Sequence, residues 1–223
     1  MIETNNIELL KKNNYENKDI YISNNSIFKR KLILDDHIAL DPFIYCASNL
    51  ICRNYVHLSS NINIIGGADS YLYIGNFSGL AAGCNLCPGS SDFFSDNIVS
   101  SPIIPKNIQS NIIKPIIIHD FVSIGFNTTI LSGVEIAEGS IIAANSFVNR
   151  DTEPWTFYSG NPIRAVKKLD NTTKLQQAEE LGYKKDIYNY KDIIDKYNIK
   201  KYDLDKYNRK RQGKLNRYNI LNL

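Results

Sequence analysis

Three histidines, His37, His57 and His119, are the only imidazoles in this 223-residue chain. Imidazole is the commonest general base near neutral pH, so the direction in which each ring points matters first. His57 lies in the segment Asn54-Tyr-Val-His-Leu58. Alternate residues of a strand face opposite ways, and with Val56 and Leu58 turned inward, His57 faces out from the middle of a flat surface. His119 follows an inward Ile118 at a corner and His37 falls at a turn, so both read as solvated side chains. Asp69 and Asp92 come from loops and are candidates to orient an imidazole or bind an acceptor; turn-stabilising roles suit them equally. Cys84-Asn-Leu-Cys87 has the CxxC spacing, but Cys84 takes an inward position and no second pair follows. Redox and zinc roles are therefore not expected, and Cys46 and Cys52 read as core.

The inward and outward directions come from a repeat. Every sixth residue from Leu34 is apolar: Leu34, Leu40, Cys46, Cys52, Leu58 and Ile64. A second apolar row, Ile38, Ile44, Leu50, Val56 and Ile62, sits four residues after each member of the first. The register resumes at Ile74, Leu80 and Leu86, and again from Ile118 through Ile124, Ile130, Ile136 and Ile142 to Val148. Val122, Thr128, Val134, Ser140 and Ser146 form the accompanying row. A period of six is neither the 3.6 of a helix nor simple strand alternation; it is the hexapeptide signature of a parallel β-helix. The fold expected is an all-β solenoid whose apolar columns stack inward.

Two breaks interrupt the repeat, Ile65 to Tyr73 and Cys87 to Pro115, the second carrying Pro88, Pro102 and Pro105. With three hexads to a coil, the hexads ending at Ile64 and Leu86 lie on one side, so both inserts leave the solenoid at one corner. Long loops on a rigid scaffold are usually functional. The domain division expected is a β-helix over 1–168, with its long loop at 87–115, and a basic helical tail over 169–223. The tail has helix-like pieces at Leu175 to Leu181 and Tyr190 to Tyr197. From Arg164 onward there are 16 basic and 8 acidic residues, against 10 and 15 before it. Such a tail suits a solvated helical face or a phosphate-bearing ligand; no nucleic-acid module is recognisable.

Composition sets the class. Hydrophobic residues are 43% and charged residues 22%, as in ordinary globular proteins. No stretch approaches the roughly 18 consecutive apolar residues of a membrane helix, so no membrane insertion is expected. The first residues lack a secretory apolar core, and four Cys without an export signal point to reduced thiols in the cytoplasm.

The stretch Ile116-Ile-Ile-His-Asp-Phe-Val-Ser-Ile-Gly-Phe-Asn-Thr-Thr-Ile-Leu-Ser-Gly-Val-Glu-Ile-Ala-Glu-Gly-Ser-Ile-Ile-Ala-Ala-Asn-Ser146, with Glu153-Pro-Trp-Thr-Phe-Tyr-Ser-Gly-Asn-Pro162, resembles the closing coils of hexapeptide-repeat acetyltransferases. The branch it resembles is that of maltose and galactoside O-acetyltransferase-like enzymes associated with bacterial surface polysaccharides. The resemblance spans roughly Ile38 to Lys168. It implies a left-handed β-helix, a homotrimer, acetyl-CoA as donor, no metal, and a sugar or nucleotide-sugar acceptor.

In that family a His of the long loop is the usual base. Here the loop reads Gly89-Ser-Ser-Asp-Phe-Phe94, with Ser91 where that His would stand. The resemblance therefore points to His57 as base, with Asp92 as its catalytic companion, and to Asp69, Asn85 and Ser91 as substrate contacts. It assigns the cofactor to Phe126, Ala144, Asn149, Arg150, Arg164 and Lys167. Arg164 and Lys167 suit this role on physical grounds as well, because phosphates need cations near the nucleotide. The expected activity is acetyl transfer to a sugar hydroxyl or amino group. The alternatives are an N-acetyltransferase for a nucleotide-linked amino sugar and a non-catalytic β-helix scaffold.

Overall fold

The structure is a computed structural model and describes residues 6–92, 95 and 105–184. Short parallel strands wind into a three-sided β-helix. Face 1 stacks 20–22, 38–40, 56–58, 79–80, 123–124, 141–142 and 156–159, and ends on an antiparallel strand, Arg164–Lys168. Face 2 stacks 27–28, 45–46, 63–64, 85–87, 129–131 and 147–148; face 3 stacks 32–34, 49–52, 71–74, 116–118 and 135–136. The chain passes from face 1 to face 2 to face 3 and back, so one regular coil places Ile38 beside Val56 and Leu40 beside Leu58.

The core is the set of apolar rows the periodicity predicts. Leu40, Leu58, Ile64, Leu86, Ile118, Ile130 and Ile136 are wholly buried, and so are Thr128 and Ser140 at tight corners. Each inward side chain packs on its equivalents one coil away, so truncating one leaves a cavity its neighbours cannot fill. A Leu58→Ala change would cost about 2–5 kcal/mol.

The corners hold residues in left-handed conformation. From face 3 to face 1 these are His37, Tyr55, Phe77, Phe121 and Trp155, with φ between 51° and 62°. Such a conformation costs roughly 1–2 kcal/mol for a residue with a Cβ. Two ladders offset it. The residue before each of the first four rings accepts a backbone N–H from the preceding coil: Asp36 from Asp19 at 2.7 Å, Asn54 from Asp36 at 3.2 Å, Asn76 from Asn54 at 3.1 Å and Asp120 from Asn76 at 2.7 Å. The rings themselves stack, with centroids 4.5 Å apart for His37 and Tyr55, 4.7 Å for Tyr55 and Phe77, and 5.3 Å for Phe77 and Phe121. At Gly139, in the same corner, a Cβ would collide with the Trp155 ring.

Two helices flank the coils. Helix α1 (Ile7–Lys12), capped by the Asn6 side chain on the Leu9 N–H, buries Leu10 against the first coil. Helix α2 (Thr172–Glu180) leads to Tyr183, which packs edge-on against Phe77 and Phe121 and donates its hydroxyl to Asp120 at 2.7 Å. The expected helical piece at 175–181 coincides with most of α2, while that at 190–197 lies outside the described residues. No described helix is long and apolar enough to cross a membrane.

One boundary differs from expectation. Tyr71, Leu72 and Tyr73 belong to a face 3 strand paired with Asn49–Cys52 and Ile116–Ile118, so the first insert ends at Ser70. Leu72 and Ile74 continue the inward columns of Leu50 and Cys52, but the insert before them breaks the six-residue count that would have placed Leu72 in its row.

Candidate active site

The outward column of face 1 reads Tyr21, Ala39, His57, Gly79, Ser123, Ile141 and Phe157 from coil to coil. His57 stands out from it with its side chain 56% exposed, between two residues too small to cover it. Its Nε2 lies 3.0 Å from Asp41 Oδ2. A carboxylate can only accept, so Nε2 donates the hydrogen and Nδ1 keeps its lone pair. The contact thus selects the tautomer in which Nδ1 is the base.

Asp41 is held at this spot by the coil itself. It opens the corner after face 1, and its backbone N–H donates to the carbonyl of Leu58 at 2.9 Å. Sequence reasoning sought a partner for His57 in the loops and missed Asp41. The signal was present, because Ala39 pairs with His57 and Asp41 lies two residues further on, turned the same way.

The other two imidazoles are tied into the scaffold. His37 Nδ1 lies 2.9 Å from Asp19 Oδ2, with its ring stacked on Tyr55. His119 Nε2 lies 2.6 Å from Glu135 Oε1, a hydrogen bond that holds the Glu135 carboxyl below the usual carboxylate range.

Both inserts leave from the corner between faces 2 and 3. Gly89 at the root of the second lies against Gly66 of the first, and Ser48 and Ser70 bond through their hydroxyls at 2.7 Å beneath them. The long insert begins and ends as an antiparallel ribbon, Gly89–Ser91 with Asn111–Ile113. Ser91 is in that ribbon, and Asp92 follows it with its N–H on the Ser110 carbonyl at 2.9 Å. Asp69 is exposed in the first insert. Residues 93, 94 and 96–104 lie outside the described residues, Pro102 among them. Asn85 faces outward on face 2, accepting from Asn63 at 3.2 Å and donating to the Gly83 carbonyl at 3.0 Å. In a three-sided coil the corner between faces 2 and 3 is opposite face 1. Within one chain, Asp69, Ser91 and Asp92 are therefore rooted away from His57.

The cofactor candidates fall into two groups. Phe126 and Ala144 occupy the corner from face 1 to face 2 in successive coils, where Asn145 N–H donates to the Phe126 carbonyl at 2.8 Å. The coils are so close there that a Cβ on Gly125 would strike the Ala144 backbone. Arg164 pairs with Ser159 at the same end of face 1, and Lys167 pairs with Phe157. Arg164 and Lys167 are exposed, while neighbouring Lys168 bonds Glu153 at 2.6 Å and holds that carboxyl below its usual range. Asn149 and Arg150, also exposed, follow the last strand of face 2 and stand at the other end of that face. The CxxC cysteines point apart: Cys84 is buried with its thiol 3.3 Å from the Gly125 carbonyl, and Cys87 is on the outer side. Among the described residues no group of three or more His, Cys, Asp or Glu could hold a metal ion.

Comparisons with known proteins agree with this architecture. Residues 115–150 match the family described as bacterial transferase hexapeptide (six repeats). A protein of Lysinibacillus sphaericus named a probable macrolide acetyltransferase is 34% identical over 115 residues, covering 47% of this chain and 64% of that protein. WbbJ of Escherichia coli (strain K12), whose name assigns it to O-acetyl transfer in lipopolysaccharide biosynthesis, is 28% identical over 142 residues, covering 62% and 69%. The chain thus spans about two thirds of the length of these curated relatives. Among solved structures, a variant of the N-acyltransferase AntD from Bacillus cereus, in complex with dTDP and coenzyme A, superposes with a TM-score of 0.71 at 21% identity. That match covers 81% of this chain and 97% of AntD, and it establishes a shared fold. In its hexad rows and three-sided coil the chain is similar to hexapeptide-repeat acetyltransferases, and its residues 115–150 carry the bacterial transferase hexapeptide repeat.

Proposed function

We propose that this protein is an acetyl-CoA-dependent acetyltransferase that acts on a hydroxyl or amino group of a sugar, with His57 as general base. The observation that carries the reading is the exposed His57, held in one tautomer by Asp41, on the face whose corner bears Phe126 and Ala144 and whose edge bears Arg164. The names of WbbJ and of the Lysinibacillus protein support acetyl transfer, and the coenzyme A in the AntD complex supports the donor class.

The chemistry is a direct transfer. The acceptor oxygen or nitrogen attacks the thioester carbonyl carbon while its proton passes to His57 Nδ1. Asp41 stabilises the imidazolium that forms. The tetrahedral intermediate collapses, the carbon–sulfur bond breaks, and the leaving thiolate takes the proton back from the imidazolium. Arg164 and Lys167 meet the nucleotide phosphates as exposed cations. A homotrimer is part of the reading: a second copy would bring the insert corner, with Asp69, Ser91 and Asp92, and the Asn149–Arg150 end towards the first copy's face 1.

A second reading is N-acyl transfer to a nucleotide-linked amino sugar. It is favoured by Ser91 in place of a loop His and by the dTDP-4-amino-4,6-dideoxyglucose and coenzyme A held by another AntD variant of the same fold. An amine acceptor needs less help from a base. A surface-polysaccharide role and a cytoplasmic location complete the proposal.

The test is thiol release from acetyl-CoA against neutral sugars and against nucleotide-linked amino sugars. Turnover with neutral sugars supports O-transfer, and turnover confined to amino sugars supports the second reading. Acetyl-CoA binding with no turnover on either set would favour a scaffold.

A further inference from the structure

Gly79 stands immediately beside His57 on face 1, and the fold gives no reason for it to be glycine. Eleven glycines lie in the described residues, and most are explained by backbone or space. Gly83, Gly133, Gly139, Gly160 and Gly182 have positive φ, where a side chain is strained. A Cβ on Gly66, Gly75 or Gly125 would collide with a neighbouring coil or turn, and one on Gly89 would press on Gly66. Gly67 is in an open turn. Gly79 is in a strand, pairs in register with His57 on one side and Ser123 on the other, and has no positive φ. A Cβ there would meet nothing nearer than the His57 carbonyl oxygen at 3.8 Å.

Glycine in a strand weakens it, having no side chain to pack and more conformational freedom to lose. Where sterics do not require it, it commonly marks close approach of a ligand. Neighbouring strands are about 4.8 Å apart, so His57 and Ser123 rise from the face roughly 9.6 Å apart with no side chain between them. On the other flank of His57 is Ala39, in the coil that also supplies Asp41. The Asp41 contact draws Nε2 towards that preceding coil, and on the opposite flank Gly79 raises no side chain beside the ring.

We propose that Gly79 is a specificity-determining position: its missing side chain keeps open the gap through which an acyl thioester reaches His57. The inference rests on the acetyltransferase reading and names the side from which the donor arrives. A side chain at Gly79 fills the gap in proportion to its size, while an equal addition at Ala39 leaves it open.

The experiment compares wild type with Gly79→Ala, Gly79→Val and Ala39→Val, using acetyl-CoA and whichever acceptor supports turnover. Folding is read from the fluorescence of Trp155 and assembly from light scattering. The expected result is wild-type folding and assembly throughout, with kcat/KM for acetyl-CoA reduced about 100-fold in Gly79→Val, the loss that an ångström-scale displacement of the reacting group brings. Gly79→Ala falls between, and Ala39→Val stays near wild type. Equal losses in Gly79→Val and Ala39→Val would overturn the proposal, as would full activity in Gly79→Val. Failure of both Gly79 variants to fold or assemble would show that the glycine serves the scaffold instead. A wild type inactive on every acceptor would remove the acetyltransferase reading and this inference with it; an active wild type beside an active Gly79→Val removes this inference alone.

Discussion

His57 Nε2 and Asp41 Oδ2 lie 3.0 Å apart across two successive coils, joined because the register that pairs Ala39 with His57 also sets Asp41 at the next outward position. The carboxylate is 28% exposed and the imidazole 56%, so solvent screens the pair and its contribution to stability is small. Its consequence is tautomeric, and it should be read in turnover.

Asp41→Asn should therefore lower kcat by about 10-fold while leaving KM for acetyl-CoA near its wild-type value, since an amide can support either tautomer and cannot stabilise the imidazolium. Steady-state kinetics separates the two constants. A raised KM at constant kcat would assign Asp41 to binding instead.

Arg164 and Lys167 should act on the donor alone. Replacing both with Ala should raise KM for acetyl-CoA about 10-fold, the loss expected for exposed charge-assisted contacts, with kcat little changed. Acetyl-dephospho-CoA, which lacks the 3′-phosphate, should then serve the double variant almost as well as acetyl-CoA does. A double variant that still discriminates between the two donors would place the phosphate site elsewhere.

The thiols should be inert in the native protein. Burial pushes the Cys46 thiol up to about 12, and it raises Cys52, Cys84 and half-buried Cys87 as well. At about pH 8 a chromogenic disulfide reagent should label Cys87 slowly and the other three only after unfolding, when all four cysteines react. Rapid labelling of two native thiols would indicate an exposed CxxC pair.

Acid should weaken the fold through carboxylates held low in the folded state. The backbone N–H of Asp19 lowers Asp36, and the His119 hydrogen bond lowers Glu135. The unfolded chain takes up protons at its ordinary pKa, about 4, while the folded chain resists. The stability contributed is thus complete above that range and is lost as pH falls through the lower folded values. Urea midpoints followed by Trp155 fluorescence should fall from about pH 6 to pH 3, and Glu135→Gln should reduce the slope. An unchanged slope in that variant would show that Glu135 takes no part.

The coil was legible in the sequence because its signal is additive: each inward position, from Leu34 to Val148, repeats the same requirement, and all of them are buried. The common corner of the two inserts was legible for the same reason, since hexad counting alone puts Ile64 beside Leu86. What stayed hidden depends on lateral neighbours. Asp41 and Gly79 gain their meaning only when strands 16 to 22 residues apart come into register. The aromatic column of His37, Tyr55, Phe77 and Phe121 sits at turn positions that hydrophobic periodicity does not score. Helix α1 carried a readable start, Asn6 before Ile7 with Glu8 in the first turn, but six residues are too few to show a helical period.

The most direct measurement is acetyl transfer by His57→Ala, with coenzyme A binding measured calorimetrically on the same preparation. Loss of a general base should reduce kcat by about 100-fold or more while binding remains. Wild-type turnover in His57→Ala would contradict the account by removing His57 from the chemistry.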